Sequence, residues 1–152
     1  MESDSKLEFD INELLVDIKE VDIKTTEDIH NRNNEILDLV FSKFLKYDKN
    51  VENKRITKEK ILNLEYEYVE DISDLKPRDS CFGINLNEFY DLKLNYLGFF
   101  IKKEDNFMSF LKLLKYRIVH KINCENLLLF RKLNSKDKVQ LLLLDSLKKM
   151  NN

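Results

Sequence analysis

Apolar residues recur at helical spacing through most of the chain. From Asn34 onward, Ile36, Leu37, Val40, Phe41, Phe44 and Leu45 fall three or four apart, with Asp38, Ser42, Lys43 and Lys46 on the other side. That spacing predicts an amphipathic helix ending near Asp48. After a charged loop, Thr57 is placed to cap a helix through Ile61, Leu62, Leu64, Tyr66 and Val69. The stretch from Tyr66 to Val69 would also suit a strand, and helix is the favoured reading. Pro77 and Gly83 bracket a break, because proline disfavours helix at the residue before it and glycine relaxes the backbone. Between Leu86 and Lys102 apolar side chains surround nearly the whole helical circumference, which predicts a central helix. Asp105 then caps a helix with Phe107, Leu111, Leu114, Ile118 and Ile122 in one stripe. Ser135 caps the last helix, in which Val139, Leu142, Leu143, Leu147 and Met150 face inward. Leu141 and Leu144 are left over as anchors for a partner.

The chain before Asn34 reads differently. Around Asp10, Leu14 and Leu15 a short turn of helix is expected, followed by a strand carrying Ile18, Val21 and Ile23, and then a polar linker from Thr25 to Asn34. The expected organisation is therefore a small N-terminal appendage over residues 1–30 and a helical domain over 34–152. The fold class is mainly α, a helical bundle with an appendage containing a short helix and strand.

Composition narrows what such a bundle could do. The 152 residues carry 26 Lys plus Arg against 28 Asp plus Glu, a formal net charge of −2, so no global basic excess favours nucleic acid. No apolar run approaches the roughly 18 residues of a membrane span, and the opening residues lack a secretory pattern, which points to an intracellular protein. The chain has 2 Gly, 1 Pro, no Trp and no Ala, a bias expected of an AT-rich genome. With Gly83 and Gly98 the only glycines, phosphate-cradling loops are excluded. His30 and His120 have no ligand partners at metal spacing, and Cys81 and Cys124 form no CxxC pair. No nucleophile, base and shaped loop converge. The expectation is a protein without catalysis, cofactor, metal or small-molecule substrate. A possible basic contact face comprises Lys112, Lys115 and Lys121 with Lys102, Lys103, Arg117 and His120 nearby. Its readings are a solvated face, an acidic protein partner, or nucleic acid, the last being the weakest.

The order of features resembles a subunit family of the GINS complex, the one known as partner of Sld five number three. The opening from Leu7 to Val21 is similar to that family's start. The stretch from Lys76 through Pro77 to the paired aromatics Phe89-Tyr90 is similar to its middle, and Leu113 to Arg117 to its second helix. The chain departs from the family pattern at Ile36 to Phe41, which lacks the family's Pro and Trp, and the small β domain would be reduced to a remnant. The resemblance implies a non-catalytic scaffold subunit of the GINS heterotetramer in the nucleus, acting in DNA replication. Its implied partners are the other GINS subunits and the MCM helicase assembly. By matched position, Phe89, Tyr90 and the helix through Leu97 would serve the helical core and its subunit contact. The competing reading is a helical-bundle adaptor from a parasite or virus that binds a host or other protein.

Overall fold

The computed structural model describes residues 25–113 and 115–150. Helix α1 (Thr26–Ser42) and helix α2 (Asp48–Asn63) lead into strand β1 (Tyr66–Tyr68) and a 3-10 turn at Ile72–Asp74. Strands β2 (Ser80–Asn85), β3 (Leu94–Glu104), β4 (Phe107–Leu113), β5 (Arg117–Asn123) and β6 (Leu127–Lys132) follow, and helix α3 (Ser135–Met150) closes the described chain. The six strands form one antiparallel sheet in the order β1-β6-β2-β3-β4-β5. The fold is α+β, and the expectation of a helical bundle is overturned.

The correction centres on residues 86–123, read above as two helices. They are a loop and three strands. Asp105 does not cap a helix; it sits at φ 53° in the two-residue turn that lets Glu104 pair with Phe107, a conformation that short polar side chains tolerate. The stretch from Tyr66 to Tyr68 is likewise strand, with Glu65 at φ 57° marking the exit from α2. Thr57 lies buried inside α2, which begins at Asp48 where a charged loop was expected.

The polar stretch read as a linker is the first half of α1, because a reciprocal cap starts the helix early. The Thr25 hydroxyl accepts from the Asp28 backbone N–H at 3.2 Å, and the Asp28 carboxylate accepts from the Thr25 N–H at 2.9 Å. Of the expected appendage over residues 1–30, the helix turn and strand fall within 1–24, outside the described residues, and 26–30 belong to α1.

Alternation along the strands divides the interior into two layers. On one side of the sheet, Ile36, Leu37 and Phe41 of α1 and Ile61 of α2 pack on Tyr66, Ile84, Leu128 and Phe130. On the other, Val69 and Leu75 cover Cys81, Leu97, Phe100, Met108, Phe110 and Leu129. Each fully buried large side chain in these layers contributes roughly 1.5–3 kcal/mol. Gly98, at φ 116°, lies where β3 bulges against β2, and a Cβ there would stand 2.6 Å from the Leu111 carbonyl oxygen.

Polar contacts tie helix α3 to the sheet and to α1. Asn134 caps it, accepting from the Asp137 N–H at 2.8 Å, so the cap lies one residue before the expected Ser135. The half-buried Arg131 of β6 donates to both Asp137 and Glu67 at 3.0 Å. Burial alone would lower the Arg131 pKa, but the carboxylates of Glu67, Asp137 and Asp79 more than offset it and hold the guanidinium above its ordinary value. Near the other end, Asp145 accepts from the Thr26 N–H and hydroxyl at 3.1 and 2.7 Å, capping α1 from outside. The expected inward face of α3 is reversed in part: Val139, Leu142, Leu143 and Met150 are exposed, whereas Leu141 and Leu144 are half-buried.

Candidate protein-binding surface

The turn between α1 and α2 and the loop from 86 to 93 meet at one corner of the molecule, and both are rich in aromatic residues. Their approach depends on Asn50, in the first turn of α2 and wholly buried. Its amide nitrogen donates to the carbonyls of Phe44 and Phe89, at 3.0 and 2.6 Å. Its amide oxygen accepts from the Leu92 N–H at 2.8 Å. A primary amide suits this place because it offers two donors and an acceptor to backbone groups that have no strand or helix partner there.

Beside it, Asn53 donates to Asp91 at 2.8 Å, and Lys93 and Lys49 stand 3.3 and 4.0 Å from the same carboxylate. The Asn53 hydrogen bond, aided by Lys93 and Lys49, holds the Asp91 carboxyl below its usual range, so it is ionised at neutral pH. Backbone bonds from Glu88 to Asn85 and from Asp91 to Glu88 close the loop into successive turns.

These anchors hold an exposed aromatic cluster. Phe89 stacks on Phe44 with ring centroids 5.9 Å apart, meets Tyr47 at 5.5 Å, and receives Tyr90 edge-on at 5.8 Å. Lys46 lies over the Tyr47 ring at 5.3 Å. Phe89 remains 40% and Tyr90 54% exposed, and Leu45 adds apolar surface at 38%. A cleft of about 330 Å³ between α2 and β3, lined by Asn53, Ile56, Thr57, Lys60, Lys93 and Leu94, adjoins the corner through Asn53 and Lys93. Rings already fixed by their neighbours lose little freedom on binding, and this is the character of aromatic anchors at protein interfaces.

Of the residues singled out from sequence, Phe89 and Tyr90 lie together in this corner, on a loop. Leu97 is 7% exposed inside the sheet core, where it can meet no partner. Leu141 and Leu144 lie on α3, away from the aromatic cluster in sequence and in element. The expected basic helix face does not exist as a face. Lys112 is on β4 and Lys121 on β5, and their cross-strand partners, Ile118 and Ser109, place them on opposite sides of the sheet, with Lys115 in the intervening turn. Sequence reasoning missed Phe44, Tyr47 and Asn50 as parts of the site. Phe44 was assigned to a helix core, and nothing in the pattern marked Asn50.

Other reactive groups stand apart. Burial, and secondarily Asp79, pushes the Cys81 thiol up to about 12, leaving it protonated at neutral pH. Among the described residues no group of His, Cys, Asp and Glu could hold a metal ion, and no helix is long and apolar enough to cross a membrane. Compared with protein-family models, curated proteins and solved structures, the chain matches none.

Proposed function

We propose that this protein is a non-catalytic protein-recognition module whose principal anchor is the aromatic corner of Phe89 and Tyr90. The observation that carries this reading is the burial of Asn50 beneath exposed rings. A buried amide bonded to three backbone groups is spent on holding the 86–93 loop against α2, and what that loop offers to solvent is a phenylalanine and a tyrosine. Such an arrangement favours binding over stability, since the rings' exposed surface gains nothing from folding alone.

The narrower reading, a GINS subunit that meets its sister subunits and the MCM assembly, drew on helices at 86–102 and 105–122. Those residues form a loop and strands, so the proposal is kept at the class that this reading shares with the adaptor reading, recognition of another protein. The experiment is quantitative affinity capture from native cells with the wild-type chain and the variant Phe89→Ala with Tyr90→Ala. Circular dichroism and thermal melting are expected to be little changed, because both side chains are substantially exposed. At least one protein held by the wild type is expected to be lost from the variant by about tenfold or more, the scale of two interface anchors. Identical captured sets from a folded variant would refute the assignment.

A further inference from the structure

The two edges of the sheet are finished differently. At one edge, β1 is closed by the buried Asn33 of α1, whose amide donates to the Tyr66 carbonyl at 2.7 Å and accepts from the Tyr68 N–H at 2.9 Å, as a neighbouring strand would. At the other, β5 pairs with β4 over all seven residues from Arg117 to Asn123 without a bulge, and no described strand pairs with its outer side. Its side chains are open on both faces: Val119 is 60% and Ile118 38% exposed. A long, regular edge with β-branched residues is a template for an added strand.

The charges on this edge specify what could be added. Register with β4 places Arg117, Val119 and Lys121 on the sheet face that α1 and α2 cover elsewhere, and Ile118, His120 and Ile122 on the other. None of Lys112, Lys115, Arg117 and Lys121 forms an ion pair among the described residues. Glu104, whose carboxylate also feels Lys121, is bound to Lys102 at 2.7 Å, and Asp105 and Glu125 lie in the turns at the strand ends. A second copy of β5, paired antiparallel about Val119, would set Arg117 against Lys121 twice. Like charges directly opposite are destabilising, so the edge disfavours its own copy.

We propose that the outer edge of β5 binds an extended acidic segment of a partner protein as a seventh strand. Acidic residues would lie across from Arg117 and Lys121, and apolar ones across from Ile118 and Ile122. Backbone hydrogen bonds supply the pairing, and the cations choose the partner and its register. This surface is separate from the aromatic corner and does not depend on it.

The test uses the full chain and a fluorescent synthetic peptide of alternating glutamate and valine, followed by polarisation at low and physiological salt. The peptide is expected to bind, more weakly as salt rises. Arg117→Glu with Lys121→Glu, checked by circular dichroism for folding, is expected to weaken binding by about tenfold. The same peptide with alternate backbone nitrogens methylated keeps its charge but cannot pair along the edge, and its binding is expected to vanish. Phe89→Ala with Tyr90→Ala is expected to bind the peptide as the wild type does. Equal binding of the methylated peptide, or of a lysine–valine peptide, would overturn the proposal. So would failure of the acidic peptide to bind, or its displacement by short duplex DNA at equal concentration.

Discussion

At the scale of single residues, a few buried amides decide where the chain goes. Asn50 and Asn33 are fully or almost fully buried, and each bonds to backbone groups far away in sequence, at Phe89 and Leu92 or at Tyr66 and Tyr68. Neither was legible beforehand. Asparagine is abundant in this chain, and in sequence a buried one looks like the solvated ones around it. Phe89 and Tyr90 stand out only through the resemblance, by their match to its paired-aromatic site, and the helix it implies there does not form. Asn50→Ala would strand the Phe89 carbonyl and the Leu92 N–H, while the Phe44 carbonyl keeps its bond from the Tyr47 N–H, and each unsatisfied buried group costs about 1–3 kcal/mol. Some relaxation and water entry are expected at an exposed corner, so the expected loss is about 2–4 kcal/mol in urea unfolding. A loss below about 0.5 kcal/mol would mean the loop is held by other contacts.

At the scale of elements, the helices at the two ends were legible and the sheet was not. The three-to-four spacing of Ile36, Leu37 and Phe41 reports a helix with one dry face, and those residues are buried as expected. The run from Leu94 to Ile101 misled because β3 sits mid-sheet between two apolar layers, so both faces carry apolar residues and the two-residue alternation is erased. The bulge that leaves Leu97 unopposed shifts the register once more. The true signals were the turn at Asp105-Asn106 and the glycine at 98, both of which break a helix. The start of α1 was missed because its capping box lies among polar residues with no apolar run to announce it.

That box yields a pH prediction. The Asp28 carboxyl is held below its usual range, chiefly by the Thr25 backbone N–H and then by the Thr25 side chain. Because the folded-state pKa lies below the unfolded one, the unfolded chain takes up the proton first as pH falls. The contribution is complete above the unfolded value of about 3.9 and is lost as pH drops through the folded value. Asp28→Ala is expected to cost about 1 kcal/mol at neutral pH. The gap to wild type should narrow below about pH 4 in urea unfolding, and a gap that stays constant with pH would contradict the box.

At the scale of the whole molecule, an antiparallel sheet with two helices on one face leaves recognition features at its margins. The aromatic corner stands where α1 turns into α2, and the basic edge lies at β5, on the far side of the sheet from β1. Neither, as proposed, needs chemistry of its own. What could be read in advance, through the resemblance, was the pair Phe89 and Tyr90, which lies exposed at the corner. The architecture could not be, since strand pairing joins residues as distant as Tyr66 and Lys132, and no local pattern records such partners.

The most direct test of the central claim is site-specific photo-crosslinking in native cells, with a benzophenone amino acid in place of Tyr90 and, as a control, in place of the equally exposed Leu39 on α1. The account predicts a discrete protein adduct from position 90 that is absent from position 39 and is lost when Phe89 is also changed to Ala. No adduct at position 90, or the same adducts from both positions, would contradict it.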